Sequence, residues 1–297
     1  MKTKIYSVVN KKGGVGKSTT ESAIASICAH YGMRVLIIDL DPQINTTSMF
    51  YKETPDKTIT DILLADDEDV TYEFVRSVIK PTEYKNIDII PGDENLDEEG
   101  DRILLLNAIV NKRGRIEIKK SAQMLLTKAF ELIEDDYDLI LIDNTPYFNL
   151  ISKNALSASN GVLIPVQNDG FSYSGLTKLL QKIYEIKSDL NRNLDIIGVF
   201  FSNVNERTNV YKQLKELFQT DLGDKLLRTS VRRDNTVIES NTAYIPLFNY
   251  SPKSNATIDY MFIVQELHIL DDEKHKRLVN DLDNYYKNFG RKNESEV

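Results

Sequence analysis

Nine consecutive residues, Lys11-Lys12-Gly13-Gly14-Val15-Gly16-Lys17-Ser18-Thr19, combine three glycines, three lysines and two hydroxyls. That mixture suits a polyphosphate. Glycines let successive backbone N–H groups curl around an anion where side chains would collide. A helix that starts at the end of such a loop adds free N–H groups and the positive end of its dipole. Lys17 is placed to reach the β and γ phosphates, and the Ser18 hydroxyl to coordinate Mg²⁺. The ordinary Walker A loop has glycine where Lys11 stands, whereas this chain meets a variant form in which Lys12 precedes the double glycine.

Two acidic segments supply the remaining chemistry. Asp39 and Asp41 lie in Leu36-Ile37-Ile38-Asp39-Leu40-Asp41-Pro42-Gln43, and Asp143 closes the apolar run Leu139-Ile140-Leu141-Ile142. A carboxylate at the carboxyl edge of a parallel sheet can hold Mg²⁺ through water or orient an attacking water. Ser18, Asp39 and Asp143 are therefore the metal candidates and Asp41 the water-orienting one. Asp39 has a second reading, as a carboxylate that caps the N–H groups of the loop after it.

These residues need elements to carry them. Short Val- and Ile-rich runs at Ile5–Val9, Val35–Asp39, Ile87–Ile90, Leu139–Asp143, Val162–Val166 and Ile196–Phe201 read as strands. Several lack polar alternation, as strands covered on both faces do. Amphipathic stretches at Thr19–Tyr31, Ala122–Ile133, Tyr173–Leu190 and Thr208–Phe218 read as helices, the first stopped by Gly32. The predicted class is α/β: a doubly wound, mostly parallel sheet with helices on both faces. Residues 1–270 would form the phosphate-loop domain, with helical insertions at about 52–76 and 97–135, and 271–297 a charged C-terminal helix or tail. Residues 52–76 read as a loop and a short helix. Residues 102–128 carry Lys112, Arg113, Arg115, Lys119 and Lys120 and read as a solvated helix–turn–helix surface around Gly114.

Composition narrows the class. The 297 residues are 41% hydrophobic and 28% charged, enough apolar content for a sizeable core, which excludes a wholly disordered chain. No run approaches the roughly 18 apolar residues of a membrane span, and the start has no apolar stretch long enough for a secretory signal. The lone Cys28 cannot form an internal disulfide, in keeping with a reducing cytosol. The net charge of −8 argues mildly against nucleic-acid binding, but residues 56–101 hold 15 acidic and 4 basic side chains, leaving 33 basic and 30 acidic elsewhere. A local basic patch therefore stays open.

With these motifs assembled, residues 1–270 resemble the ParA/Soj partition ATPases, within the MinD/ParA group of variant Walker A proteins. Lys12–Thr19 has the family's KGGVGK[ST] form. Asp39–Gln43 resembles its DxDPQ segment, followed by the polar turn Asn45-Thr46-Thr47. Ile90-Pro91-Gly92, Asn154-Ala155-Leu156, Val162–Gln167 and Gly175-Leu176 resemble further family blocks, and Pro246–Ala256 looks like the late loop near the adenine base. There are departures. Asp143-Asn144-Thr145-Pro146 has an Asp-x-x-Pro form where Asp-x-Pro-Pro is commoner, and Asn255 stands where glycine is usual.

The resemblance implies ATP and Mg²⁺ as cofactors and an ATP-dependent homodimer in which Lys12 reaches the partner subunit's γ phosphate. Lys12, Lys17 and Asp41 would be catalytic. Gly13, Gly14, Val15, Gly16, Lys17, Ser18 and Thr19 would cradle the nucleotide, with Asp143 and Pro246 completing the site. It also implies nonspecific double-stranded DNA binding, for which Lys225, Arg228, Arg232, Arg233 and the weaker Lys253 are candidates; the alternative is a solvated loop with a local ion pair. A ParB-type centromere-binding partner and a cytoplasmic, nucleoid-associated location follow in the same way. With no domain ahead of the phosphate loop, no operator-reading helix-turn-helix is expected.

A MinD-like membrane-associated positioning ATPase is the alternative. Leu278, Leu282, Tyr285 and Phe289 recur at helical spacing, and such a stripe lies either on a membrane or on the domain itself. With 7 acidic and 6 basic residues in 271–297, no stable membrane association is expected. Nitrogenase-like reductases share the loop but need cluster-binding cysteines that this chain lacks.

Overall fold

The computed structural model describes residues 2–106, 108–110, 116–119, 121–170 and 172–289. The chain opens with β1 (Lys4–Val8), α1 (Lys17–His30), β2 (Val35–Leu40) and α2 (Asn45–Phe50). Next come α3 (Ile59–Leu64), α4 (Tyr72–Val78), β3 (Lys80–Pro81), β4 (Ile87–Ile90), α5 (Leu96–Leu106), β5 (Ala108–Val110) and β6 (Ile116–Ile118). The middle holds α6 (Leu125–Ile133), β7 (Leu139–Asn144), α7 (Leu150–Ala158), β8 (Gly161–Val166), α8 (Ser172–Asp189) and β9 (Asp195–Phe201). It ends with α9 (Asn209–Leu222), α10 (Asn235–Thr242), α11 (Leu247–Tyr250), α12 (Asn255–Glu266) and α13 (Asp272–Phe289).

Among the described residues, seven strands form one sheet in the order β3-β4-β2-β7-β1-β8-β9, parallel except where β3 meets β4. Every residue of β2, β7 and β8 is buried, which is why these segments read as unbroken apolar runs. Alternate residues of one strand serve opposite layers. Val35 and Ile37 pack with α1, α12 and α13, while Leu36 and Ile38 pack with α3, α4, α6 and α7. The doubly wound α/β class is therefore as expected.

Two local readings differ. Residues 52–76 carry α3 and the start of α4, each opened by a threonine cap, Thr58 and Thr71. In the basic segment, β5 and β6 pair antiparallel as a separate two-stranded sheet in place of a helix–turn–helix. Alternation of Ile116, Glu117 and Ile118 is the period-2 signal that reading overlooked. Lys112, Arg113, Gly114, Arg115 and Lys120 lie outside the described residues; Lys119 is exposed.

Helix α13 docks on the domain. Leu278 and Leu282 are 0% and 2% exposed, Tyr285 packs against the same cluster, and the Tyr31 hydroxyl donates to Asp281 Oδ2 at 2.8 Å. The side chain of Phe289 lies outside the described residues. No helix among the described residues is long and apolar enough to cross a membrane.

Candidate nucleotide-binding site

The loop between β1 and α1 is shaped by its own sequence and braced from the neighbouring strands. Gly16 caps α1 at φ 89°, a left-handed conformation that strains any side chain, and a Cβ there would stand 3.5 Å from Ser202 Oγ. Ser202, at the end of β9, donates its hydroxyl to Val15 O. Gln167 Nε2 donates to Gly14 O at 2.9 Å, and Asn10 Nδ2 to Pro165 O at 2.7 Å. The loop is thus tied to the ends of β8 and β9 before any ligand arrives. Lys17 opens α1 with its side chain buried, whereas Lys12 is exposed and ion-paired with Asp169.

Strand register sets the acids. Asp39 of β2 lies opposite Asp143 of β7, and Asp143 opposite Val8 of β1. Asp39 accepts from Thr47 N and Thr47 Oγ1, both at 2.8 Å, and from Asp41 N at 3.1 Å. Those contacts match the loop-capping reading, with both Asp39 oxygens engaged by the chain itself. Gly92 presses on the same carboxylate: a Cβ there would come within 3.1 Å of Asp39 Cγ, and Gly92 N donates to Thr47 Oγ1 at 2.8 Å. Asp143 Oδ2 accepts from Thr46 Oγ1 at 2.8 Å, while its Oδ1 is buried without a hydrogen-bond partner among the described residues.

Burial raises the carboxyls of Asp39 and Asp143, and each is pushed further by a neighbouring acid. Ser18, Lys17 and Thr46 draw Asp143 partly back toward its ionised form. A buried carboxylate oxygen lacking a partner, beside a serine hydroxyl at a helix start, is the donor set that a hard divalent cation takes. Asp41 is half-buried at the mouth, its Oδ1 accepting from Gln43 N at 3.0 Å.

A cavity of about 570 Å³ opens over this loop. Gly13 to Thr19 form its floor and Asp41 one side. Asn203, Val237, Ile238, Asn241 and Tyr244 form the far end, a mixture of apolar surface and amides that suits a flat heterocycle. Tyr260 forms part of the wall, its hydroxyl 3.1 Å from Thr20 Oγ1. Pro246, expected near the base, is not among the lining residues: it is buried as the N-cap of α11, with its carbonyl accepting from Asn249 and Tyr250. Lys12 and Asp143 do not line the cavity either; one points to Asp169 and the other lies behind the floor.

Known proteins match this arrangement. The AAA domain family model covers residues 3–196. The sporulation initiation inhibitor protein Soj of Bacillus subtilis is 34% identical over 266 residues, spanning 89% of this chain and 98% of its own. The chain belongs to the Soj/ParA family of partition ATPases. The chromosome-partitioning ATPase Soj of Treponema pallidum is 29% identical, over 90% of this chain and 97% of its own. A putative plasmid partition protein from Borrelia burgdorferi, crystallised with AMPPNP, shares the fold with a TM-score of 0.64 at 22% identity, covering 97% of this chain and all of that one.

In this Soj/ParA chain the basic candidates separate. Arg232 is paired with a buried partner: its guanidinium grips the Asp259 carboxylate at 2.7 and 2.9 Å and its backbone N–H donates to the same group, while its side chain stays 39% exposed and lines both the nucleotide cavity and the groove beside it. Lys225 is paired with Asp195 at 2.6 Å. Arg228 and Arg233 are exposed without such a buried partner among the described residues and line a polar groove of about 890 Å³, together with Arg207 and Arg232. Lys253 is exposed on the turn before α12 and does not line that groove. The sequence motifs do not single out Arg207, although an arginine one residue before a Thr N-cap is a legible surface cation. It also missed Ser202 and Tyr260. Ser202 was within reach, as a hydroxyl closing an apolar strand at the carboxyl edge of the sheet.

Proposed function

We propose that this partition ATPase binds ATP with Mg²⁺ at the phosphate loop, dimerises around the nucleotide, binds duplex DNA without sequence preference and resets by hydrolysis. The observation that carries the reading is the convergence of Lys17, Ser18 and Asp41 on one cavity, with the unpartnered Asp143 Oδ1 buried behind it.

The chain's own groups have separable tasks. Backbone N–H groups of Gly13 to Thr19 hold the phosphate oxygens, and the Lys17 ammonium stabilises negative charge developing on the β–γ bridge. Ser18, supported by Asp143, would hold Mg²⁺, which would supply neutralisation of the phosphate charge. Asp41 orients a water for in-line attack on the γ phosphorus. Asp39 holds the Asp41–Thr47 loop in the shape that lets Asp41 do so. Lys12 leaves Asp169 and crosses to the partner subunit's γ phosphate, placing a cation between two polyanions that would otherwise repel.

Arg228, Arg233 and Arg207 contact backbone phosphates, and dimerisation doubles that patch. The chain acts on nucleoid DNA in the cytosol, with a ParB-type protein as partner. The membrane-positioning alternative is disfavoured because Leu278 and Leu282, the apolar face it needs, are buried in the domain. Size-exclusion chromatography with and without ATP–Mg²⁺, each with added nonspecific duplex, tests the proposal. A dimer that carries DNA only with ATP is the expected result; a monomer under every condition overturns it.

A further inference from the structure

We propose that the flat face of the Arg232 guanidinium is a stacking platform for the nucleotide base, with Asp259 as the positioning residue that fixes its plane. The inference rests on the nucleotide reading above and assigns a residue to the base end of the same cavity.

The backbone brings Arg232 to that end. Val204, just beyond β9, pairs in parallel with Arg232, its N–H donating to Val231 O at 3.1 Å and its carbonyl accepting from Arg233 N at 2.9 Å. Arg232 is thereby held against the segment that carries Asn203, and it stands just ahead of α10, which supplies Val237, Ile238 and Asn241 to the cavity. Arg232 lines the cavity with them.

Hydrogen bonding decides what the side chain can offer there. Nη2 donates to Asp259 Oδ1 at 2.7 Å and Nε to Asp259 Oδ2 at 2.9 Å, a two-point grip that fixes the plane of the group. Nη2 also reaches Asn255 O at 3.4 Å, and Asp259 is only 6% exposed. The charge is therefore answered by a buried carboxylate, and one edge of the fork is spent. A guanidinium so engaged is a poor phosphate ligand, but it keeps a planar, weakly hydrated face. A nucleotide base presents a π-face to match, and stacking asks for no particular pattern on its edge. Ile238, 63% exposed in the same cavity, is the kind of apolar surface that a bound base covers.

The test titrates ATP and inorganic tripolyphosphate, each with Mg²⁺, into full-length wild-type protein and Arg232→Lys by calorimetry. Lysine keeps a cation for Asp259 and removes the flat face; tripolyphosphate keeps the phosphates and lacks the base. We expect ATP affinity about fivefold weaker in the variant and tripolyphosphate affinity unchanged. The double variant Arg232→Gln with Asp259→Asn, a neutral hydrogen-bonding pair, carries the same test if the lysine variant does not fold. Equal loss for both ligands makes Arg232 a phosphate contact and overturns the proposal. So does unchanged ATP affinity in a folded variant, whatever becomes of DNA binding. Wild-type protein that binds neither ligand overturns the nucleotide reading itself, and this inference with it.

Discussion

Asp39 and Asp143 stand directly opposite one another in the parallel register of β2 and β7, two fully buried carboxyl groups on adjacent strands. The arrangement works because each has a different set of donors. Asp39 is occupied by the Asp41–Thr47 loop, while Asp143 keeps one buried oxygen without a hydrogen-bond partner among the described residues.

That pairing predicts a pH dependence. Burial raises both carboxyls, Asp39 to about 7 with Asp143 adding to it and Asp143 to about 6 with Asp41 adding to it. A raised acid contributes stability below its unfolded pKa, near 4, and loses it as pH climbs through the folded value. The nucleotide-free protein should therefore melt several degrees lower at pH 8 than at pH 5, and Asp39→Asn should flatten the trend. Surface acids such as Asp138 and Asp234, whose pKa values are lowered, act in the opposite sense only below about pH 4. Calorimetry showing no slope between pH 5 and 8 would count against the paired-acid picture.

Lys12→Ala should abolish ATP-dependent dimers in light scattering. Its contact with Asp169 is exposed on both sides, so its removal should change unfolding free energy by less than about 0.5 kcal/mol. Normal dimerisation of the variant removes Lys12 from its role across the interface.

Asp41→Ala should leave ATP binding intact and slow phosphate release by at least about 100-fold. The side chain accepts a single loop N–H, that of Gln43, so the fold should tolerate the change. Turnover at the wild-type rate would assign the attacking water to another group.

The two neighbouring arginines should behave differently. Replacing Arg228 and Arg233 by Ala should weaken DNA binding evenly across sequences and reduce the salt slope by about one unit per arginine. Arg232→Ala should instead cost about 2 kcal/mol of stability, because Asp259 keeps a buried charge without its partner. Loss of DNA affinity in Arg232→Ala at unchanged stability would reverse this division.

Leu278→Ala should cost about 2–5 kcal/mol, the range for emptying a packed core site. Wild-type protein should not sediment with anionic vesicles in the presence of ATP. Sedimentation would revive the membrane reading.

Much of this protein is legible in its sequence, because phosphate binding depends on backbone shape and helix position, and those depend on local residue type. Gly13, Gly14 and Gly16 ahead of Lys17 and Ser18 declare the cradle, and unbroken Ile and Leu runs declare strands covered on both faces. What the tertiary structure alone decided concerns partners distant in sequence. Asp39 turned out to serve a loop, Pro246 to cap a helix away from the cavity, Arg232 to hold Asp259, and Leu278 to pack on the sheet domain. Each outcome turns on which group a side chain meets across 8 to more than 200 residues of chain, as in Lys12 with Asp169 or Thr20 with Tyr260. A charge or hydroxyl carries no mark of its partner until folding removes the water that would otherwise have satisfied it.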